Sequence, residues 1–377
     1  MALVSPAPPP VRTHARFTEL DGLRGIAALG VVLAHYITLA NTFFPHLRQA
    51  PVDLNPLTLG VHLFFLISGF VIFMTVRRVG SAREFLTARA IRLFPPFWVA
   101  LLLTSAIGYL SHEAWLKPGL RQFLANLTMA PKLFGEKPVD GAYWTLAVEW
   151  VFYLGMALLC ALGLTRREQL TTWLLALWAV ASVGLSVGLT LWRSAGSGLA
   201  DVLLTATIAE YAPLFASGAL LFLSRERGRL DPRLALTLPS ALATALIVQG
   251  PGHAIMLAVP IVIFVAVVVR ERTAVLRTAP LQFLGRVSYG WYLLHQNIGY
   301  AMISLAQDRV LGFLIAFPLT LGLAWALYEL VEVRLSRVLR RRLLPGFGRP
   351  DPSQPSGVKI ASTTCCAHSS SGTSTRS

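Results

Sequence analysis

Arg24–Tyr36 reads RGIAALGVVLAHY, an apolar stretch that opens on a guanidinium charged at every accessible pH and closes beside an imidazole that titrates near neutrality. The solvent in which such a segment folds decides the fold. It belongs to an apolar run over residues 23–43, and about 20 such residues as a helix cross a hydrocarbon core of about 30 Å. Nine more runs follow at roughly 57–76, 95–111, 143–163, 172–192, 202–223, 234–250, 253–269, 287–306 and 311–333. The seventh and eighth are joined only by Pro251 and Gly252, so a re-entrant pair fits the same residues. Hydrophobic residues make up 55% of the 377 and charged residues 14%, against roughly 25% charged in soluble domains, and the mean hydropathy is +0.61. The expected fold class is all-α, a polytopic membrane bundle of about ten transmembrane helices with both termini cytoplasmic.

Charge distribution supports that orientation. The 33 Lys and Arg against 18 Asp and Glu give a net charge of +15, yet the cations lie in short runs between apolar segments, with no aromatic-studded basic face for nucleic acid. With the N-terminus inside, the inner loops carry 23 Lys and Arg and the outer loops 7, the bias of an even number of spans with both ends in the cytoplasm. The lipid bilayer is thus the large partner, no nucleic-acid partner is expected, and the expected location is the cell membrane, a bacterial plasma membrane, with multiple passes. Cys160, Cys365 and Cys366 cannot build a disulfide framework or a zinc site, so no metal is expected. The first 22 residues hold prolines without an apolar core, so the first span is expected to serve as the targeting anchor in place of a cleaved signal. Residues 1–19 and 343–377 are expected to be disordered cytoplasmic tails around a membrane domain at 20–342. Ala82–Phe94 is expected to be an interfacial amphipathic helix that Pro95 and Pro96 redirect. No internal repeat is visible, which weakens an inverted-repeat transporter.

Arg24 and His35 are 11 residues apart, about 20° past three helical turns, so they share a face about 16 Å apart along the axis. Arg24 would lie near the inner interface and His35 about 18 Å deep, while Glu149 in the fourth run lies about 9 Å from the outer end. These depths sum to about 27 Å, close to the core thickness, so His35 and Glu149 are expected to meet. An imidazole with a carboxylate partner is a general base able to take a proton from a hydroxyl. Snorkelling of Arg24 and packing of His35 are the plain alternatives, as is a Glu149 neutralised by an arginine. Arg89 and Arg92, three apart on one face at the inner interface, suit phosphate oxygens or lipid headgroups. Ser68 and Gly69 in HLFFLISGF suggest close helix packing, and no GxSxG elbow is present. His295 in SYGWYLLHQ is either a packing residue or part of a site, and Glu329 and Glu332 are expected to snorkel or to pair with Arg334. Asn126–Thr128 is a glycosylation sequon in an outer loop.

Taken in order, LDGLRGIAALGVVLAHY, FFLISGF, RAIRLFPPFW, YWTLAVEWVFY, SYGWYLLH and YELVE resemble the acyltransferase 3 family over about Leu20 to Arg342. The resemblance implies a ten-helix membrane domain that O-acylates extracytoplasmic glycans and some glycosylated natural products. It implies that His35 is the catalytic histidine with Arg24 its companion on the first helix, that Glu149 is the functional, catalytic carboxylate and that Arg89 and Arg92 bind acyl-CoA; Arg24, Ser68, Trp144 and His295 are further expected to contact substrate. Two departures from the family pattern stand out. Thr145 and Trp150 replace a Ser and a second Glu found in many members, and no esterase-like extension follows the membrane domain. The expected reaction moves an acyl group, expected to be acetyl, from acyl-CoA as co-substrate, with no resident cofactor, to a sugar hydroxyl of a cell-surface or exported carbohydrate. A macrolide or other glycoside acceptor is the alternative, and a glycan or lipid transporter with Arg, His and Glu along its path is the rival from another class.

Overall fold

The computed structural model describes residues 17–270 and 273–344, which form helices joined by turns and loops and contain no strand. The tails expected at 1–19 and 343–377 lie almost wholly outside the described residues, as do Cys365 and Cys366. We number the main helices α1 (Thr18–Phe43), α2 (Asn55–Val76), α3 (Ala82–Leu110), α4 (Gly141–Ala161), α5 (Glu168–Ser194), α6 (Gly198–Arg227), α7 (Leu234–Gln249), α8 (Pro251–Val269), α9 (Ala279–Leu294), α10 (Gln296–Ala306) and α11 (Arg309–Leu343). Eight of these, α1 to α6, α8 and α11, are long and apolar enough to cross a membrane, and α7 is a shorter apolar helix. The run expected as one helix at 287–306 is divided between α9 and α10.

That division follows from where the backbone groups find partners. Instead of continuing the helical ladder, the Asn297 N–H donates to Asp140 Oδ2 at 2.9 Å, and the Leu293 carbonyl accepts the Tyr143 hydroxyl at 3.2 Å. The His295 carbonyl also accepts from the Tyr36 hydroxyl at 2.7 Å. A helix interrupted in an apolar interior persists only when its freed groups are satisfied in this way. Asp140 serves two helices at once, because its Oδ1 accepts from the Ala142 N–H at 2.8 Å in the turn that opens α4.

Pro95 and Pro96 do not redirect the chain: α3 runs unbroken from Ala82 to Leu110, so Ala82–Phe94 is the first part of a long helix and not a separate interfacial one. Pro95 removes the N–H that would serve the Ile91 carbonyl, and the Ser336 hydroxyl of α11 donates to that oxygen at 3.3 Å instead. The sequon residue Asn126 is fully buried. Its amide donates to the carbonyls of Gln122 at 2.8 Å and Lys137 at 3.0 Å and accepts from the Val139 N–H at 2.9 Å, so it fixes the loop and presents no nitrogen to a glycan.

α1 packs most extensively on α9, and α2 on α6. The second pair meets backbone to backbone: a Cβ on Gly69 would lie 2.1 Å from the Phe215 carbonyl oxygen, and one on Gly218 would lie 2.1 Å from that of Leu66. The small-residue reading of Gly69 therefore holds, since only hydrogen fits on either side. Gly69→Leu is expected to force α2 and α6 apart, at a cost of at least about 1–3 kcal/mol, read as a lower aggregation temperature of the detergent-solubilised protein; an unchanged midpoint would mean the contact is slack. Asp140→Asn turns one accepting oxygen into a donor facing a backbone N–H, and about 1–3 kcal/mol of stability is expected to go with it. A melt indistinguishable from wild type would show that the double cap does not hold the break.

Candidate active site

The site starts on α3, where Arg89 and Arg92 project side by side. Arg89 is 9% exposed and donates from Nη2 to the Thr75 hydroxyl of α2 at 2.9 Å. Its guanidinium lies 5.8 Å from the Phe85 ring centre and 5.9 Å from that of Tyr153, and its Nε has no hydrogen-bond partner. Both arginines line a cavity of about 70 Å3 together with Arg24, Ser68, Glu149 and Tyr153. Glu149 and Tyr153 are four apart on α4 and share a face. Glu149 accepts from the Ser68 hydroxyl at 2.8 Å and from the Tyr153 hydroxyl. Arg24 lies within electrostatic reach of Asp21, Glu149, Glu332 and Arg92.

Glu332 neither snorkels nor turns to Arg334. It faces Arg92 and Arg24 from α11, with its Oε1 buried and without a hydrogen-bond partner. Arg340 of the same helix adds a further cation near Arg89 and Arg92. Guanidinium charge thus exceeds carboxylate charge in a buried cavity, with one Nε still open. A phosphate or another compact anion is the complement of such a surface.

The imidazoles form a second cluster. The His35 and His295 rings meet edge to face with centroids 4.8 Å apart. His35 Nδ1 lies 2.8 Å from the Val31 carbonyl oxygen, and His295 Nδ1 lies 2.8 Å from that of Tyr292. A carbonyl accepts only from N–H, so Nδ1 carries a proton in both rings and Nε2 is the nitrogen that remains for another partner. His295 is fully buried and its Nε2 is unpartnered; the Gln296 side chain adjoins the His35 ring. The π-helical turn Ala34–Leu39 that carries His35 is a local widening often found at functional positions.

The expected contact between His35 and Glu149 is not made. Glu149 is engaged by Ser68 and Tyr153, and His35 by Val31 and His295. Glu149 shares the arginine cavity with Arg24, about three helical turns before His35 on α1, and the histidines lie outside it. His35 does not line the arginine cavity; Tyr292 does. The Tyr292 ring lies 5.6 Å from that of His295, and its hydroxyl is held by Thr145 at 3.0 Å and by the Ala142 carbonyl at 3.0 Å. Trp144 joins neither cluster and lines a separate cavity with Tyr211 and Glu210. Tyr153 was visible in the sequence as the residue four after Glu149; Tyr292, Thr75 and Asp140 carried no comparable signal, being single polar residues whose partners are distant in the chain.

Residues 17–329 match the family described as "Acyltransferase domain". The chain is 28% identical over 356 residues to "Nodulation protein 10" of Rhizobium leguminosarum bv. viciae, covering 86% of this chain and 95% of that protein. It is 29% identical over 148 residues to "Acyltransferase MdmB" of Streptomyces mycarofaciens, covering 37% of this chain and 38% of that protein. No solved structure matches the chain. With arginines, glutamates and histidines gathered inside an apolar helical bundle and the family match spanning most of its length, the chain belongs to the acyltransferase 3 family of multi-pass membrane proteins.

Proposed function

We propose that this acyltransferase is a ten-span protein of a bacterial plasma membrane, with both ends cytoplasmic, that moves an acetyl group from acetyl-CoA to a sugar hydroxyl. The shorter α7 and the broken pair α9–α10 complete the eight long spans. The observation that carries the reading is His35, an imidazole anchored through Nδ1 on the Val31 carbonyl and set edge to face against His295, with Gln296 beside it, so that Nε2 is the ring nitrogen left to act as base. Nε2 takes the proton of the acceptor hydroxyl as its oxygen attacks the thioester carbonyl. The new C–O bond forms, the C–S bond breaks, and the departing CoA sulfur takes the proton from the imidazolium, so the base is restored with ester and free CoA as products. Val31 supplies the orientation first assigned to Glu149. Glu149 instead opposes the Arg24, Arg89 and Arg92 charges and holds Ser68 and Tyr153, in the cavity that takes the anionic part of the donor. The thioester arm reaches His35 past Tyr292, which lines the arginine cavity and adjoins His295. The acceptor is a cell-surface or exported glycan.

His35→Ala is expected to lower acetyl transfer by about 10²–10⁴-fold with the protein still membrane-inserted, measured with labelled acetyl-CoA; turnover near wild type would remove His35 from the chemistry. Arg89→Ala combined with Arg92→Ala is expected to raise the KM for acetyl-CoA about tenfold or more, since a hydrogen bond to a charged group contributes about 1.5–3 kcal/mol, with a smaller effect on acceptor KM. A donor KM that does not move would place the CoA phosphates elsewhere.

A further inference from the structure

The Trp144 cavity has no part in the chemistry above, yet the chain is strained to build it. α6 stops at Thr207 and resumes at Ala212, and Ile208 at the break adopts φ 47°, ψ 29°. A left-handed conformation is unfavourable by about 1–2 kcal/mol for an L-residue and worst for a β-branched one. Unwound backbone within a spanning segment persists where it lines a cavity. Here the break presents Glu210 and Tyr211 to a cavity of about 230 Å3 whose other walls include Trp144, Asp201, Arg193 and Lys132. Met129, with φ 64°, lines the same cavity. Met129 and Ile208 are two of the three positive-φ residues other than glycine among the described residues, the first in the cavity wall and the second two residues before Glu210, which lines it. Strain of this kind gathers at functional positions. The Asn126 hydrogen bonds described above hold the loop from Gln122 to Val139 that closes one wall, so the cavity is formed in advance of any ligand.

Its chemistry is specific. The Trp144 and Tyr211 rings lie 5.2 Å apart at 40° and offer apolar faces. Around them stand two carboxylates, which accept hydrogen bonds, and two cations, which donate them. A pyranose ring presents the matching surface, with C–H faces for the aromatic rings and hydroxyls for Glu210, Asp201 and Arg193. The cavity is also tied to the histidines through the first turn of α4. Thr145, next to Trp144, bonds to Tyr292, and a Cβ on Gly141 would lie 2.3 Å from the Gln296 amide nitrogen, beside His35.

We propose that this cavity is a subsite for a sugar ring of the acceptor, an inference that rests on the acyltransferase reading. The test uses the full chain in lipid nanodiscs, free of glycoside detergents. Saturation-transfer NMR is recorded with the methyl glycosides of glucose, mannose, rhamnose and N-acetylglucosamine. At least one glycoside is expected to show saturated ring protons, and Glu210→Gln and Trp144→Ala are expected to weaken its binding about fivefold or more, with Trp144→Phe restoring part of it. No saturation from any glycoside, the same signal in the variants, or saturation confined to lipid headgroup protons would each overturn the subsite. Transfer of labelled acetyl from acetyl-CoA is measured separately on the wild-type protein. Glycoside binding without any use of acetyl-CoA defeats the enzymatic reading and leaves the subsite standing; acetyl transfer without glycoside binding does the reverse.

Discussion

Three guanidinium groups, Arg24, Arg89 and Arg92, converge inside an apolar bundle where Asp21, Glu149 and Glu332 oppose them, and the exposed Arg340 adds a fourth positive charge nearby. Moving an ion out of water is costly, and that cost is reduced when opposite charges are held close to it. The helices carrying these groups are consequently constrained relative to one another. α1 must present Arg24 to α4 and α11, α3 must lay its arginine pair beside Tyr153, and α2 must bring Ser68 and Thr75 to the same cavity. Apolar packing alone fits many helix arrangements, because lipid is as apolar as leucine. Charge pairing selects among them. The surplus of cations over carboxylates then gives the cavity its preference for an anion, so the same interaction that restricts the fold also defines the ligand.

Two helices break where a continuous one would have been simpler. Beside His295 one rung of the ladder, the Asn297 N–H and the Leu293 carbonyl, is taken by side-chain partners from the start of α4, the Tyr36 hydroxyl of α1 adds a bond to the His295 carbonyl, and the His295 ring sits against His35. In α6 the break places Glu210 and Tyr211 in a second cavity. In both, an uncharged backbone discontinuity brings polar side chains to a depth that a regular helix would have filled with hydrocarbon.

Much of this was legible before any coordinates. Hydropathy located the apolar runs, and the three-residue spacing of Arg89 and Arg92 placed both at one cavity. The pairing of His35 with Glu149 was not legible, because 1.5 Å per residue measures height alone and the azimuth of each helix is set by tertiary packing. Pro95 and Pro96 read as a break because the sequence does not show that Ser336, 245 residues after Ile91, would satisfy the freed carbonyl. The sequon misled for a related reason: the same Asn126 amide that accepts a glycan when exposed is, when buried, a loop clamp. Trp144 was a candidate substrate contact; it lies five residues before Glu149, about 140° around the helix at 100° per residue, and it lines the second cavity.

That opposition within α4 explains why Asp140 matters beyond stability. Successive residues of a helix turn by 100°, so one helix can serve three places: Glu149 and Tyr153 the arginine cavity, Thr145 and Gly141 the Tyr292 and Gln296 side of the histidines, and Trp144 the aromatic cavity. Rotating α4 by a single residue would withdraw all three groups together. Its rotation is fixed at the first turn, where Asp140 binds the Ala142 N–H of this helix and the Asn297 N–H beyond the His295 break. One carboxylate therefore locks the register of the helix that faces both cavities to the break that sets His295 against His35.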